Sequence, residues 1–119
     1  MIAAHLKARG HEVITPTVRM IRYWWGRLNT EVFGGELLQP VLTFTDQFDD
    51  AYGSCTDTAT QRVTINLEPR WDWTRALLLE TLVHEMVHQK QHHDSGQMHH
   101  GETFERWREP IKQATGLTI

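Results

Sequence analysis

Val18, Ile21, Trp25, Leu28 and Val32 recur at alternating steps of three and four residues. That spacing places one apolar stripe on an α-helix. Thr15 followed by Pro16 offers an N-cap and a first helical position, and Gly34-Gly35 offers a stop, so a helix of about five turns is predicted. Ahead of it, Ile2 to Arg9 reads as a short helix stopped by Gly10. No partner for this helix is legible, so residues 1–14 are expected to be a leader segment and 15–116 the core.

The hydrophobic period then changes. Pro40 introduces a β-rich run over Val41 to Thr45, and a second run covers Ala51 to Thr56. From Arg62 to Leu67 the chain alternates, with Val63, Ile65 and Leu67 on one face and Arg62, Thr64 and Asn66 on the other. The short polar stretch Asp57 to Gln61 suits a hairpin between the last two strands. Beyond Pro69, Asp72 or Thr74 can cap a helix that runs to His92 or His93 and buries Ala76, Leu79, Leu82, Val83, Met86 and Val87. Asp94-Ser95-Gly96 reads as its stop. A final helix opens near Gly101-Glu102 and presents Phe104, Trp107 and Ile111, with Pro110 kinking or restarting it. The pattern predicts an α+β fold: an N-terminal helix, a small three-stranded mixed or antiparallel sheet, a long central helix and a C-terminal helix. All 119 residues are expected to form a single domain.

Composition narrows the function classes. With 39% hydrophobic and 23% charged residues the chain reads as an ordinary globular protein. A formal charge of -3 gives no global attraction to nucleic acid, and Arg19, Arg22 and Arg27 on one helix read as a solvated face. Cys55 is the sole cysteine, which excludes an internal disulfide and a cysteine-based zinc ribbon within these residues. Met1 to Gly10 is too short and polar for a secretory signal, and no apolar run reaches membrane-spanning length; a cytoplasmic location without membrane association is expected. Trp24, Trp25 and Trp107 fall at helical spacing and are read as core. Trp71 and Trp73 are candidates for a substrate groove, with packing the favoured role.

Chemistry concentrates in the central helix. His84-Glu85-Met86-Val87-His88 is an HExxH pentapeptide. Histidines four apart share one helix face and can grip one ion, while Glu85 falls beside them as a proton acceptor. A catalytic zinc needs a third protein ligand and an open position. Six of the eight histidines lie between 84 and 100, so several candidates compete. His92 sits a further turn along, about 5.4 Å of rise from His88, and is out of reach. Asp94 occupies the third-ligand place of the metzincin pattern HExxHxxGxxH, but Gln91 stands where that pattern needs glycine. Glu105 or Glu109 would make a gluzincin-like site without further support. His99 and His100 follow a turn that can bring an imidazole back to the metal, and His100 directly precedes a helix.

His100-Gly101-Glu102-Thr103-Phe104 reads as HGxxF. HExxH followed at this distance by HGxxF resembles the SprT-like zinc metallopeptidases, the group that includes Spartan and bacterial SprT. The likeness extends to Trp25-Gly26-Arg27-Leu28-Asn29, then Phe33-Gly34-Gly35, the Pro40-led strand, Gly53, the strand Val63 to Leu67, and Thr81-Leu82-Val83 ahead of the pentapeptide. The resemblance covers about residues 17 to 116 and implies a minimal zincin-like domain. It implies one zinc ion held by His84, His88 and His100, with His99 or Asp94 as the alternative ligand. Glu85 would be the general base of a metal-dependent endopeptidase acting on protein or peptide substrates.

By analogy with zincins, Tyr52, Gly53, Ser54, Cys55 and Thr56 are the candidate substrate-binding strand, and Tyr52, His93 and His99 are candidates to stabilise the oxyanion. DNA association, which the resemblance would suggest, is supported neither by the charge nor by a zinc ribbon. The alternative reading is a non-catalytic, zinc-stabilised binding or assembly module of the same family.

Overall fold

Thr17, rather than Thr15, starts the first long helix. In the computed structural model, which describes the backbone of residues 1–44, 53–57, 63–67, 73–95 and 100–119, the elements run in a simple order. They are α1 (Ile2–Arg9), α2 (Val18–Phe33), β1 (Val41–Phe44), β2 (Gly53–Asp57), β3 (Val63–Leu67), α3 (Arg75–Ser95), α4 (Glu102–Glu105) and α5 (Arg108–Thr115). Side chains are described for 1–42, 73–95 and 100–119. Thr17 has extended backbone, and its hydroxyl oxygen accepts the Met20 N–H at 3.1 Å. That bond satisfies one of the free N–H groups of the first turn; Pro16 stays outside the helix.

Gly34 closes α2 in the left-handed conformation at φ 64°, where a side chain would be strained. The turn that follows is held by Asn29. Its amide donates to the Leu37 carbonyl and accepts the Leu37 N–H, both at 3.0 Å and both buried. Asn29 thus belongs to the folding of this corner rather than to the stripe predicted for α2. Trp24 is buried, as its helical spacing predicts, and Phe33 joins it beside Ile21, Trp25 and Leu28, which widens the stripe.

Helix α3 lies at the centre. Leu78, Leu79, Leu82, Val83, Met86 and Val87 are all fully buried, and Glu85, His88, Gln89 and Gln91 are buried with them. A helix buried on several sides needs partners on several sides, and α3 packs against α1, α2, α4, β2 and β3. Thr74 caps it, its hydroxyl oxygen accepting the Leu77 N–H at 3.1 Å; Asp72 lies outside the described residues. The helix continues to Ser95, past the expected end at His92 or His93. Gln89 ties this helix to its neighbours: its side-chain oxygen accepts the Trp25 indole N–H at 3.1 Å, and its nitrogen donates to the Leu38 carbonyl at 2.6 Å.

The expected α+β class, built around a three-stranded sheet, is corrected here: helices dominate the fold. The helices have 8, 16, 21, 4 and 8 residues, against strands of 4, 5 and 5. Among residues with described side chains, the strands contribute only Leu42 to the core, whose remaining members come from helices and their flanks. The physical reason is burial. The apolar faces of α2, α3 and α5 carry most of the core among the residues whose side chains are described. The strand backbones pair in the order β1-β3-β2. β1 runs parallel to β3 and β2 runs antiparallel to it, which leaves β1 and β2 as the outer strands among the described residues, with β2 beside α3.

The first fourteen residues were expected as a leader and are instead docked. Ile2 is fully buried, and α1 packs on α3 and α5. The Ile14 N–H donates to the Trp73 carbonyl at 2.8 Å, and Arg75 and Ala76 N–H groups donate to Glu12 and Gly10 carbonyls at 3.0 and 2.9 Å. This segment therefore satisfies donors at the start of α3 that would otherwise need water. Trp73 beneath it is 1% exposed and serves packing, not a groove; Trp71 lies outside the described residues.

At the other end, the single C-terminal helix of the sequence pattern is two helices. Pro110 falls in the first turn of α5, where a missing N–H costs nothing, so the chain restarts there instead of kinking. No helix among the described residues is long and apolar enough to cross a membrane.

Candidate metal centre

Three imidazoles converge where α3 faces the entry to α4. His84 and His88 are one turn apart on α3, and His100 stands at the approach to α4. The Nε2 atoms of His88 and His100 are 3.0 Å apart, and those of His100 and His84 are 3.2 Å apart. One ligand nitrogen from each residue lies within 4.8 Å of the other two. Phe104 is the floor of this arrangement. It is fully buried, and its ring centre lies 4.8, 5.1 and 5.0 Å from those of His84, His88 and His100. One turn of α4 therefore brings the aromatic under the imidazole that precedes it by four residues.

The donor chemistry fits a transition-metal ion. Three imidazole nitrogens facing one another have a reason to converge if they share a cation, and a three-histidine set leaves a position open for substrate or water. Burial pushes the His84 pKa down to about 4, helped by the neighbouring His88 and His100 and by Arg108. The ring is thus held neutral, the form a metal needs.

Glu85 sits beside them, 5% exposed, with its Oε1 3.9 Å from His84 Nε2. Burial pushes its pKa up to about 7, because removing a carboxylate from water disfavours its charged form. A carboxyl group poised there can both accept and return a proton near neutral pH.

The other candidates separate cleanly. His92 is not part of the three-histidine cluster found among the described residues. Asp94 is exposed and turned away, its Oδ1 taken by Lys90 and His93 at 3.1 Å each. This also places the His93 ring on the Asp94 side. Glu105 is paired with Arg108 at 2.6 Å. His99 and Tyr52 lie outside the described residues. Gly53, Ser54, Cys55 and Thr56 form β2, the outer strand next to α3.

Two neighbours were missed by the sequence reading. His88 Nδ1 lies 2.8 Å from Gln91 Oε1, and Gln91 Nε2 donates to the Thr103 hydroxyl oxygen at 2.9 Å. Gln91 had been noted only as the residue that breaks the metzincin pattern. Its spacing of three from His88 was the available signal, since residues three apart on a helix are neighbours. Arg108 was likewise unremarked. Its guanidinium lies 5.6 Å from the Phe104 ring centre, within reach of the His84 field.

Phe104→Ala should lower stability by about 3–5 kcal/mol, the usual cost of emptying a buried phenylalanine site. Chemical denaturation measures this directly, and weakened metal binding should accompany it because the three rings lose their common floor.

Comparison with known proteins agrees with the geometry. The family model described as SprT-like matches residues 21–119. No curated protein matches the chain.

Proposed function

Because this chain belongs to the SprT-like family, we propose that it is a zinc-dependent endopeptidase. The observation that carries the reading is the convergence of His84, His88 and His100 above Phe104, with buried Glu85 at their side. In this reading the three imidazoles hold one zinc ion. When bound, zinc supplies Lewis acidity that polarises a peptide carbonyl and acidifies water. Glu85 is the general base: its carboxylate takes a proton from the attacking water and returns it to the leaving amine nitrogen. Phe104 and the buried face of α3 exclude solvent from the inner side of the site, so the carboxyl keeps its raised affinity for protons.

The substrate reading follows from strand position. β2 is an outer strand beside the helix that carries Glu85. An extended peptide adding to such an edge gains main-chain hydrogen bonds and presents its backbone along the site. Gly53 to Thr56 are the proposed contact residues. Chelation should abolish cleavage of an unfolded protein substrate, and added zinc should restore it. Cleavage that persists in chelator, with zinc shown to be absent, would overturn the proposal; a chain that binds zinc but cleaves nothing would favour the non-catalytic module.

A further inference from the structure

We infer that Gln91 is a positioning residue for the metal centre, fixing both the tautomer of His88 and the placement of the segment that carries His100. The inference rests on the metal-site reading and goes beyond it, because Gln91 is neither a ligand nor a base there.

The orientation of the Gln91 amide sets the roles of its neighbours. Gln91 Nε2 approaches the Thr103 hydroxyl oxygen at 2.9 Å, and an amide nitrogen can only donate. The amide oxygen is then the atom facing His88 Nδ1 at 2.8 Å, and an amide oxygen can only accept. His88 must therefore carry its proton on Nδ1. That leaves the lone pair on Nε2, the atom 3.0 Å from His100 Nε2 inside the cluster. A metal-ligating histidine commonly has its second nitrogen held in this way, which fixes the ring and raises its basicity.

Burial strengthens the argument. Gln91 is 4% exposed and His88 8% exposed, so water does not readily replace the bond. Gln91 also joins two elements. It stands on α3, whereas Thr103 belongs to α4, between His100 and Phe104 in sequence. The same side chain thus orients one imidazole directly and ties down the short helix that follows another. In HExxHxxG proteins the chain turns at this position. Here glutamine keeps α3 running to Ser95 and supplies the link.

The test compares Gln91→Leu, Gln91→Glu and Thr103→Val with wild type by competition with a chromophoric zinc chelator and by 15N NMR of the histidine rings. Gln91→Leu should weaken zinc binding by about 10–100-fold, the usual range for loss of such a partner, and the metal-free protein should show His88 as a mixture of tautomers. Gln91→Glu keeps an acceptor for Nδ1–H, and the Thr103 hydroxyl can donate to it, so zinc affinity should recover to within a few-fold of wild type. Thr103→Val should preserve the His88 tautomer while weakening zinc binding. A Gln91→Leu protein that is folded, binds zinc as wild type does and keeps a single Nδ1–H tautomer would overturn the inference. So would equal losses in the leucine and glutamate variants. Failure of wild type to bind zinc would instead remove the metal-site reading itself, and the inference with it.

Discussion

Glu85→Gln should cut peptide cleavage by roughly 10²–10⁴-fold, the range a positioned general base contributes, while zinc binding is unchanged. Glutamine has nearly the same shape, so the packing around a side chain that is 5% exposed survives. What it lacks is a basic oxygen that can take a proton. Glu85 is not among the three clustered ligand side chains, so the donor set stays complete. Stability should not fall, because a neutral amide replaces a carboxyl group whose charged form is already disfavoured by burial. Steady-state cleavage of an unfolded substrate, read beside zinc content, separates the outcomes. Full activity in the glutamine variant would assign the proton transfer to another group.

His100→Ala should weaken zinc binding by at least about 100-fold, more than is usual for loss of a residue that merely orients a ligand. Removing this imidazole leaves two of the clustered donors, both on α3, and opens the side of the cluster that the approach to α4 closes. His99→Ala should retain zinc. The pair matters because these two residues are adjacent in sequence and only one can hold the place 3.0 Å from His88 and 3.2 Å from His84. Equilibrium competition against a chelator of known affinity provides the readout. Retention in His100→Ala together with loss in His99→Ala would shift the third ligand by one residue.

Much of this site was legible because helical spacing is a local property. His84, Glu85 and His88 are placed by the rise and twist of one helix, and the apolar residues between them say which side is buried. His100 needed more. Reach excluded His92, but selecting His100 over Asp94 and His99 rested on the HGxxF resemblance, since a turn of unknown course intervenes. The structure adds the reason Asp94 is unsuited: Lys90, one helical turn earlier, draws it outward.

The fold was less legible, for reasons of tertiary competition. The strand runs stood out in sequence because alternation is conspicuous, yet runs of four or five residues cannot outweigh a 21-residue helix buried on several sides. Residues 1–14 looked detachable because part of what holds them is backbone pairing with the start of α3, and backbone groups leave no mark in a hydrophobic pattern. Thr15 and Thr17 are equally good caps by composition; only the hydroxyl bond to Met20 distinguishes them. Gln91 was hidden for a similar reason. A polar residue on a buried helix face carries meaning only once its partners, His88 and Thr103, are known.

The most direct measurement is the metal content of the purified wild-type chain, determined by elemental analysis after dialysis against metal-free buffer and repeated on His84→Ala, His88→Ala and His100→Ala. One zinc per wild-type chain, and none in each variant, is the predicted result. A wild-type chain that takes up no stoichiometric zinc even when it is supplied, or three variants that keep it, would contradict the account.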